Sequence, residues 1–153
     1  FMNRTGVRTF EAAAFLRRCG ADITRVRKMF RDDMDSYRAK AEAVRMAEVY
    51  RKEFAIAECP SDVESPTVLA AQAANELLDI SGIKASFVLT IYEGKIYMSA
   101  RSIDEVNVQI VAEKLGGGGH INAAGAQFDH TDMEEAIKAL KQTIDKMIEE
   151  GDI

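Results

Sequence analysis

The sequence contains no tryptophan, and it has only two prolines, two histidines and two cysteines among its 153 residues. Cys19 and Cys59 lie far apart and outside any metal-binding or redox spacing. They are therefore expected to be free thiols in a reducing cytosol, and not a disulfide framework. Neither an apolar run of about 18 residues nor a signal-peptide core is present, so the sequence predicts a cytoplasmic domain.

Negative charge is concentrated in one part of the chain. Residues 1–50 carry eleven Lys and Arg against seven Asp and Glu, whereas residues 51–153 carry nine against eighteen. Proteins that bind duplex DNA use many Lys and Arg contacts to phosphates, so this acidic body argues against duplex DNA as a partner. A small anionic ligand, held by a few directed donors, remains compatible with this charge.

The amino-terminal third is predicted to be helical, with amphipathic segments at residues 9–18, 22–30 and about 35–51. Thr9 is a suitable cap for the first helix, Gly20 ends it, and Asp22 can cap the second. This region is basic and resembles a segment that joins two domains or completes a domain that starts upstream. We interpret most of its charges as a solvated helical face.

The rest of the chain predicts a small sheet with helices. FAIAEC, from Phe54, reads as a short strand, residues 84–102 as a hairpin that turns at Glu93 and Gly94, and residues 124–128 as a last strand. Helices are predicted after Ser65 and Pro66, at residues 104–115, and from a capping box of Thr131 and Glu134. The expected fold class is α/β (α+β): a small mixed sheet with flanking helices, preceded by a helical segment.

Periodicity also predicts which residues share a face. On the second strand of the hairpin, Ile96, Met98 and Ala100 face one way, and Tyr97, Ser99 and Arg101 face the other. Phe87, Leu89 and Ile91 share a face of the first strand, and Leu69, Ala73, Leu77 and Ile80 share a helical face. The closing helix carries an apolar stripe expected to be core or interface: Met133, Ile137, Leu140, Ile144, Met147 and Ile148.

The most informative segment is GGGGHINAAG, residues 116–125. Gly116 alone would end the preceding helix, so the three further glycines need another reason. Each glycine costs roughly 0.5 to 1 kcal/mol relative to alanine in regular structure, which favours a close approach of the backbone to a phosphate. The alternative is a flexible loop or packing of backbone on backbone. His120 can donate to a phosphate or stack on a base, although a single histidine is often structural.

Arg101 is the second candidate, because SARS at residues 99–102 places its guanidinium on the same strand face as Ser99. A guanidinium binds phosphate through two parallel donors, but it can equally form a surface ion pair. Asn107 and Asn122 are weaker candidates, since both residues suit helix caps or turns.

The motifs SARS, DEVN and GGGGHINAAG together resemble the signature of the DHH-associated domain, the substrate-binding partner of the catalytic DHH domain in metal-dependent phosphoesterases. The resemblance covers about residues 53–150. The resemblance implies that Ser99, Arg101, Gly117, Gly118, Gly119 and His120 hold the nucleotide. We add their motif neighbours Ser102, Gly116 and Asn122 to the predicted substrate-binding set.

The beginning, FMNRTGVRTFEAAAFLRRCGAD, resembles the stretch after the last catalytic motif in cyclic-di-AMP phosphodiesterases of bacterial membrane signalling proteins. We therefore expect a fragment in which residues 1–52 are the helical end of the DHH domain with a linker, and residues 53–153 are the DHH-associated domain. The resemblance implies a membrane-anchored protein that converts cyclic-di-AMP to linear pApA, with two divalent metal ions, expected to be manganese, in the missing catalytic domain. Separately, we expect the fragment to be a monomer or a weak dimer.

The chain departs from the family pattern in its lack of a DHH triplet. Its sole Asp-x-Asp, Asp33 to Asp35, has no histidine nearby, and His130 is isolated. A two-metal mechanism needs several carboxylates and imidazoles, so we expect no catalytic or metal-binding residues in this fragment and no activity from it alone.

Two alternatives remain open from the sequence. A nanoRNA hydrolase or adenosine-bisphosphate phosphatase would use the same two-domain arrangement on short linear substrates. A single-stranded nucleic-acid-binding module would instead need a basic groove with stacking aromatics, which the acidic body and the lack of Trp disfavour.

Overall fold

The computed structural model describes residues 5–103 and 105–153. The chain divides into two compact units, of which the first ends at Asp33 and the second spans Met34–Ile153. The second unit therefore begins before residue 53. Residue 53 is where the resemblance places the start of the DHH-associated domain.

The first unit contains two helices, α1 (Val7–Arg18) and α2 (Ile23–Met29). Gly6 is the N-cap of α1, so Thr9 lies inside the first turn and the predicted Thr9 cap is wrong. The Thr9 N–H donates to the Gly6 carbonyl at 3.0 Å, as expected for a residue inside the first turn. Asp22 caps α2 as predicted, because its carboxylate accepts from the backbone N–H groups of Thr24 and Arg25.

None of the residues in α1 or α2 is buried. Their large apolar side chains are extensively exposed, for example Phe15 at 59% and Phe30 at 81%. Because buried apolar area is the main source of stability, these two helices do not close a hydrophobic core within their own unit.

The described residues of the second unit form four helices and six strands. In chain order they are α3 (Met34–Arg45), β1 (Glu48–Tyr50), β2 (Phe54–Glu58), α4 (Pro66–Leu77), β3 (Ala85–Tyr92), β4 (Lys95–Ser102), α5 (Val108–Lys114), β5 (Gly118–His120), β6 (Ala123–Phe128) and α6 (Met133–Glu150). The strands form one mixed sheet in the order β1-β2-β3-β4-β6-β5. Only β2 and β3 pair in parallel; the other neighbours are antiparallel. The predicted mixed α/β fold is confirmed.

The structure corrects three element boundaries. The helix predicted to reach residue 51 ends at Arg45, and β1 follows because Val49 and Tyr50 favour a strand that pairs with β2. Asn107 caps α5, so that helix starts at Val108; the predicted start, Asp104, lies outside the described residues. Asp132, and not Thr131, is the N-cap of α6, because its carboxylate accepts from the Glu135 N–H at 2.8 Å.

One face of the sheet is covered by α5 and α6, and we call it the covered face. It holds the larger core, in which the predicted inward residues Ile96, Met98 and Ala100 of β4 are buried. Other members of this core are Phe87, Leu89, Val108, Val111, Ala124, Ala126, Leu140, Ile144 and Met147. The predicted stripe of α6 therefore faces the sheet, except that Ile148 is 40% exposed.

The other face is only partly covered. Helix α4 packs against β3 and β4 on this side, and its buried residues Leu69, Ala73 and Leu77 confirm the predicted helical face. Ile80 was assigned to that face wrongly, because α4 ends at Leu77 and Ile80 is 44% exposed. Ile91, at the turn end of β3, is likewise 42% exposed. In the part of the chain that the structure describes, no helix is long and apolar enough to cross a membrane.

Candidate functional site

The strand register brings the main candidate residues to one surface. Arg101 of β4 pairs with Ala123 of β6, and Ala123 pairs with His120 of β5. Directly paired residues point to the same side of a sheet, so Arg101 and His120 share a face. This is the face opposite α5 and α6, because the alternate residues Ala100 and Ala124 are buried on the covered face.

Arg101, Ala123 and His120 thus form one row across the sheet, and a second row lies next to it. Ser99 pairs with Gly125, and Gly125 pairs with Gly118. We call the side of β4, β6 and β5 that bears these rows the open face, because its residues are half-buried or exposed: Tyr97, Ser99, Arg101, Gly118, His120, Ala123, Gly125 and Gln127. Three members of this set, Ala123, Gly125 and Gly118, have no side chain beyond a methyl group. We call these three small residues the floor of the open face. The longer polar side chains of the same set lie beside them.

For three of the four glycines at positions 116–119, the backbone conformation or the packing within the chain explains why no side chain is present. Gly116 has a φ of 81° and ends α5, as predicted. A methyl group on Gly117 would lie 2.1 Å from the Gly125 carbonyl oxygen, and one on Gly119 would lie 2.5 Å from the Ala124 Cα. The close packing of backbone on backbone that the sequence left as an alternative is therefore present at Gly117 and Gly119.

Gly118 differs from the other three. A methyl group there would meet nothing within 4 Å, and its φ is not in the left-handed region. Among the described residues, neither packing nor backbone strain accounts for the missing side chain at Gly118. The predicted glycine loop is therefore corrected to a helix end followed by the edge strand β5, because Gly118, Gly119 and His120 pair with β6.

Arg101 is half-buried at the end of β4, and its Nη1 donates to the Ala100 carbonyl at 2.8 Å. Burial lowers the pKa of Arg101, and no carboxylate in residues 5–103 or 105–153 contributes to that shift. The ordinary ion pair that the sequence left open is absent from the described chain. A partly desolvated cation with remaining N–H donors is favourable for an anionic ligand.

His120 is exposed on β5, two strands away from Arg101. Neighbouring strands lie about 4.8 Å apart, so the two backbones are about 10 Å apart. Their side chains can approach one anion above Ala123, the residue that lies between them in the row.

The remaining predicted residues support this arrangement from the other side of the sheet or from the turn. The buried Ser102 donates through Oγ to the Ile121 carbonyl at 3.2 Å, and its N–H donates to the Asn122 carbonyl at 3.1 Å. Ser102 and the buried Asn122 thus tie the β5–β6 turn to the end of β4, next to His120. Asn107 is a capping residue, since its side chain accepts from the Gln109 N–H.

Sequence reasoning missed the floor residues Ala123 and Gly125, and it missed Gln127 at the end of the face. The signal was present in AAGAQF, where alternate positions belong to opposite faces once the segment is read as a strand.

A metal site is not formed by the described residues, in which no three His, Cys, Asp or Glu lie together in a suitable cluster. Asp35 lies in the first turn of α3, 3.8 Å from Arg38, and His130 lies in the loop before α6 with a φ of 56°. The resemblance places the two catalytic ions in the DHH domain, and the residues described here do not fit them.

Comparison with known families places the chain in one of them. The family model described as the DHHA1 domain matches residues 52–149, which is more than half of the chain. The chain belongs to this family. The matched segment contains every residue of the open face, and the predicted resemblance to the DHH-associated domain is confirmed.

Two curated relatives match almost the whole chain. The cyclic-di-AMP phosphodiesterase PdeA of Listeria monocytogenes is 42% identical over 95% of this chain and 22% of its own length. The cyclic-di-AMP phosphodiesterase GdpP of Bacillus subtilis is 42% identical over 99% of this chain and 23% of its own length. The chain thus spans less than a quarter of these relatives.

A solved structure supports the fold. The crystal structure of an exopolyphosphatase-related protein from Bacteroides fragilis superimposes with a TM-score of 0.80 at 24% sequence identity. The match covers 95% of this chain and 45% of that one. At this identity the likeness shows a shared fold.

Proposed function

We propose that this chain is the nucleotide-binding part of a phosphodiesterase that hydrolyses cyclic-di-AMP to linear pApA. The observation that carries the proposal is Arg101, a half-buried cation with no described carboxylate partner, in one row with His120. The 42% identity to two cyclic-di-AMP phosphodiesterases supports this substrate over other phosphate compounds.

In this proposal the open face binds and orients the substrate. Arg101 donates two parallel hydrogen bonds to phosphate oxygens, and Ser99 and His120 donate from the adjacent row and strand. Gly118 lets the phosphate approach the backbone of β5, because no Cβ stands in the way. The phosphate is thereby held at the sheet while the bond to be cleaved remains accessible from outside the chain.

The hydrolytic chemistry belongs to another part of the longer protein. A catalytic DHH domain with two divalent metal ions, manganese in our proposal, would supply the activated water. We further propose that the longer protein is anchored at the cell membrane with this domain in the cytosol. The chain alone is then inactive, and metal-dependent turnover by the purified 153-residue chain would contradict that assignment.

Titration calorimetry of the 153-residue chain tests the function. Cyclic-di-AMP and pApA are expected to bind, and a single-stranded 12-mer is expected to bind more weakly. A charge-assisted hydrogen bond contributes about 1.5 to 3 kcal/mol, so Arg101→Ala should weaken binding about ten- to a hundredfold. The melting temperature should remain close to that of the parent, since Arg101 lies outside both cores.

The matched control is Arg45→Ala, which removes an arginine that pairs with Glu42 on α3, outside the three strands of the open face. It should leave the affinity unchanged. Equal binding by Arg101→Ala and the parent would contradict the assigned face, and tighter binding of the 12-mer would favour the nucleic-acid-binding alternative.

A further inference from the structure

The open face continues past the phosphate-binding rows to an aromatic end. Tyr97 lies on the same side of β4 as Ser99 and Arg101, two and four residues away along the strand. With about 3.4 Å per residue, Tyr97 lies about 14 Å from Arg101 at the backbone. Ser99 lies between the two residues on β4, and beside it on β6 are Ala123 and Gly125, which carry at most a methyl group.

The ring of Tyr97 has a fixed neighbour. Tyr92 of β3 lies on the same side, and the two ring centroids are 6.1 Å apart with planes inclined at 59°. Tilted contacts of this kind are a favoured arrangement of aromatic pairs. Tyr97 also pairs in register with the fully buried Thr90, whose Oγ1 donates to the Cys59 carbonyl at 3.1 Å. The backbone of Tyr97 is thus paired with a buried and hydrogen-bonded part of β3.

Charge differs between the two ends of the open face. At the Tyr97 end, Lys95 pairs with Asp129 at 3.1 Å, so that lysine is already compensated. At the other end, the charge of Arg101 has no described carboxylate partner. One end therefore favours an anion. The other end offers an aromatic surface beside Lys95, Asp129 and Glu93, where no described cation is left without a carboxylate neighbour. A nucleotide has the same division, with a phosphate at one end and a flat base at the other.

We propose that Tyr97 stacks on a base of the bound nucleotide whose phosphate lies at Arg101 and His120, and that Tyr92 positions the Tyr97 ring. This inference rests on the proposed function, and it adds a residue that determines preference for a base-bearing ligand. Stacking recognises the face of a base, so Tyr97 distinguishes a nucleotide from a sugar phosphate more than it distinguishes one base from another.

The test compares two ligands that differ only in the base, adenosine 5′-monophosphate and ribose 5-phosphate, titrated into the 153-residue chain. The parent should bind the nucleotide more tightly. Tyr97→Leu should weaken nucleotide binding about 5- to 100-fold, the range expected for loss of one stacked base, and should leave ribose 5-phosphate binding unchanged. Tyr97→Phe should retain the preference, and Arg101→Ala should weaken both ligands.

Tyr37→Leu is the matched control, because Tyr37 is an exposed tyrosine of α3 outside the DHHA1 segment. It should alter neither affinity. Nuclear magnetic resonance of the unsubstituted chain provides a second measurement that does not depend on the folding of Tyr97→Leu. The ring protons of Tyr97 should shift upfield with the nucleotide and not with ribose 5-phosphate.

The outcomes separate the two proposals. If Arg101→Ala weakens both ligands while Tyr97→Leu keeps the nucleotide preference, or if the Tyr97 ring protons do not move, the stacking inference is wrong and the proposed function stands. If the parent binds neither these ligands nor pApA, the proposed function fails, and the stacking inference fails with it.

Discussion

The two faces of β4, β6 and β5 are made from alternate residues of the same strands, yet they differ in almost every property. On the covered face Met98, Ala100 and Ala124 are buried against helices. On the open face Ser99, Arg101 and their neighbours in β6 and β5 are half-buried or exposed. The comparison indicates that substitutions on the covered face should affect folding, and substitutions on the open face should affect ligand binding.

The largest effect is expected from Phe87→Ala on the covered face. Phe87 of β3 is completely buried in the larger core, and truncating a buried phenylalanine costs about 3 to 5 kcal/mol of unfolding free energy. Guanidinium denaturation of the 153-residue chain measures this loss. Gln127→Ala, an exposed position on the open face, should change stability by about 0.5 kcal/mol or less. Similar losses for the two variants would remove the distinction between the faces.

Two adjacent glycines provide a sharper comparison. Gly117→Ala should destabilise the chain by about 1 to 3 kcal/mol, because the new methyl group would collide with the backbone of β6. Gly118→Ala should leave the melting temperature unchanged or slightly raised, since the methyl group meets no described atom and alanine loses less backbone entropy.

The affinity for pApA should distinguish Gly118→Ala from the parent, although the melting temperature does not. Although it is stable, this variant should bind more weakly than the parent, because the methyl group stands where the phosphate approaches β5. Calorimetry and thermal melting on the same samples would decide the matter. Normal binding by a stable Gly118→Ala would mean that this glycine does not face the ligand.

The smallest expected effect is the change with pH in the contribution of Asp145, on α6 over the covered face, to the stability of the fold. Asp145 of α6 accepts hydrogen bonds from the Tyr50 hydroxyl and from the Arg51 Nε, each within 2.9 Å. The Arg51 hydrogen bond, together with that from Tyr50, lowers the pKa of Asp145 below its ordinary value. A carboxyl with a lowered folded-state pKa contributes stability above its unfolded pKa of about 4, and this contribution is lost as the pH falls through the folded value.

Thermal melting between about pH 6 and pH 2 tests this contribution. Asp145→Asn should melt below the parent at pH 6, and the difference should shrink as the pH falls below about 4. On the open face, Arg101→Ala should follow the parent curve throughout, because an arginine does not titrate in this range. A constant difference between Asp145→Asn and the parent would show that the hydrogen bonds of Asp145 do not depend on its charge.

Local sequence was sufficient for much of this fold. The β3–β4 hairpin, the end of α5 at Gly116 and the stripe of α6 follow from turn residues, caps and periodicity. All three are confirmed, apart from the exposed Ile148 in the stripe. Strand β1 was not recognised, because a segment of three residues carries little periodicity and its pairing partner, β2, lies beyond a turn with left-handed residues. The motif resemblance predicted the family, which the DHHA1 match confirms. The substrate-binding residues stay a prediction.

The alternation of Ile96, Met98 and Ala100 with Tyr97, Ser99 and Arg101 was determined by the sequence alone, because successive side chains of a strand point to opposite sides whatever the rest of the chain does. The separate roles of the four glycines were decided only by the tertiary structure. Whether a glycine is required depends on how closely another backbone approaches it, and β6 approaches Gly117 and Gly119 but leaves Gly118 facing open space. That distance is a property of the assembled sheet, so no reading of GGGG by itself could distinguish the packing glycines from the one that faces outward.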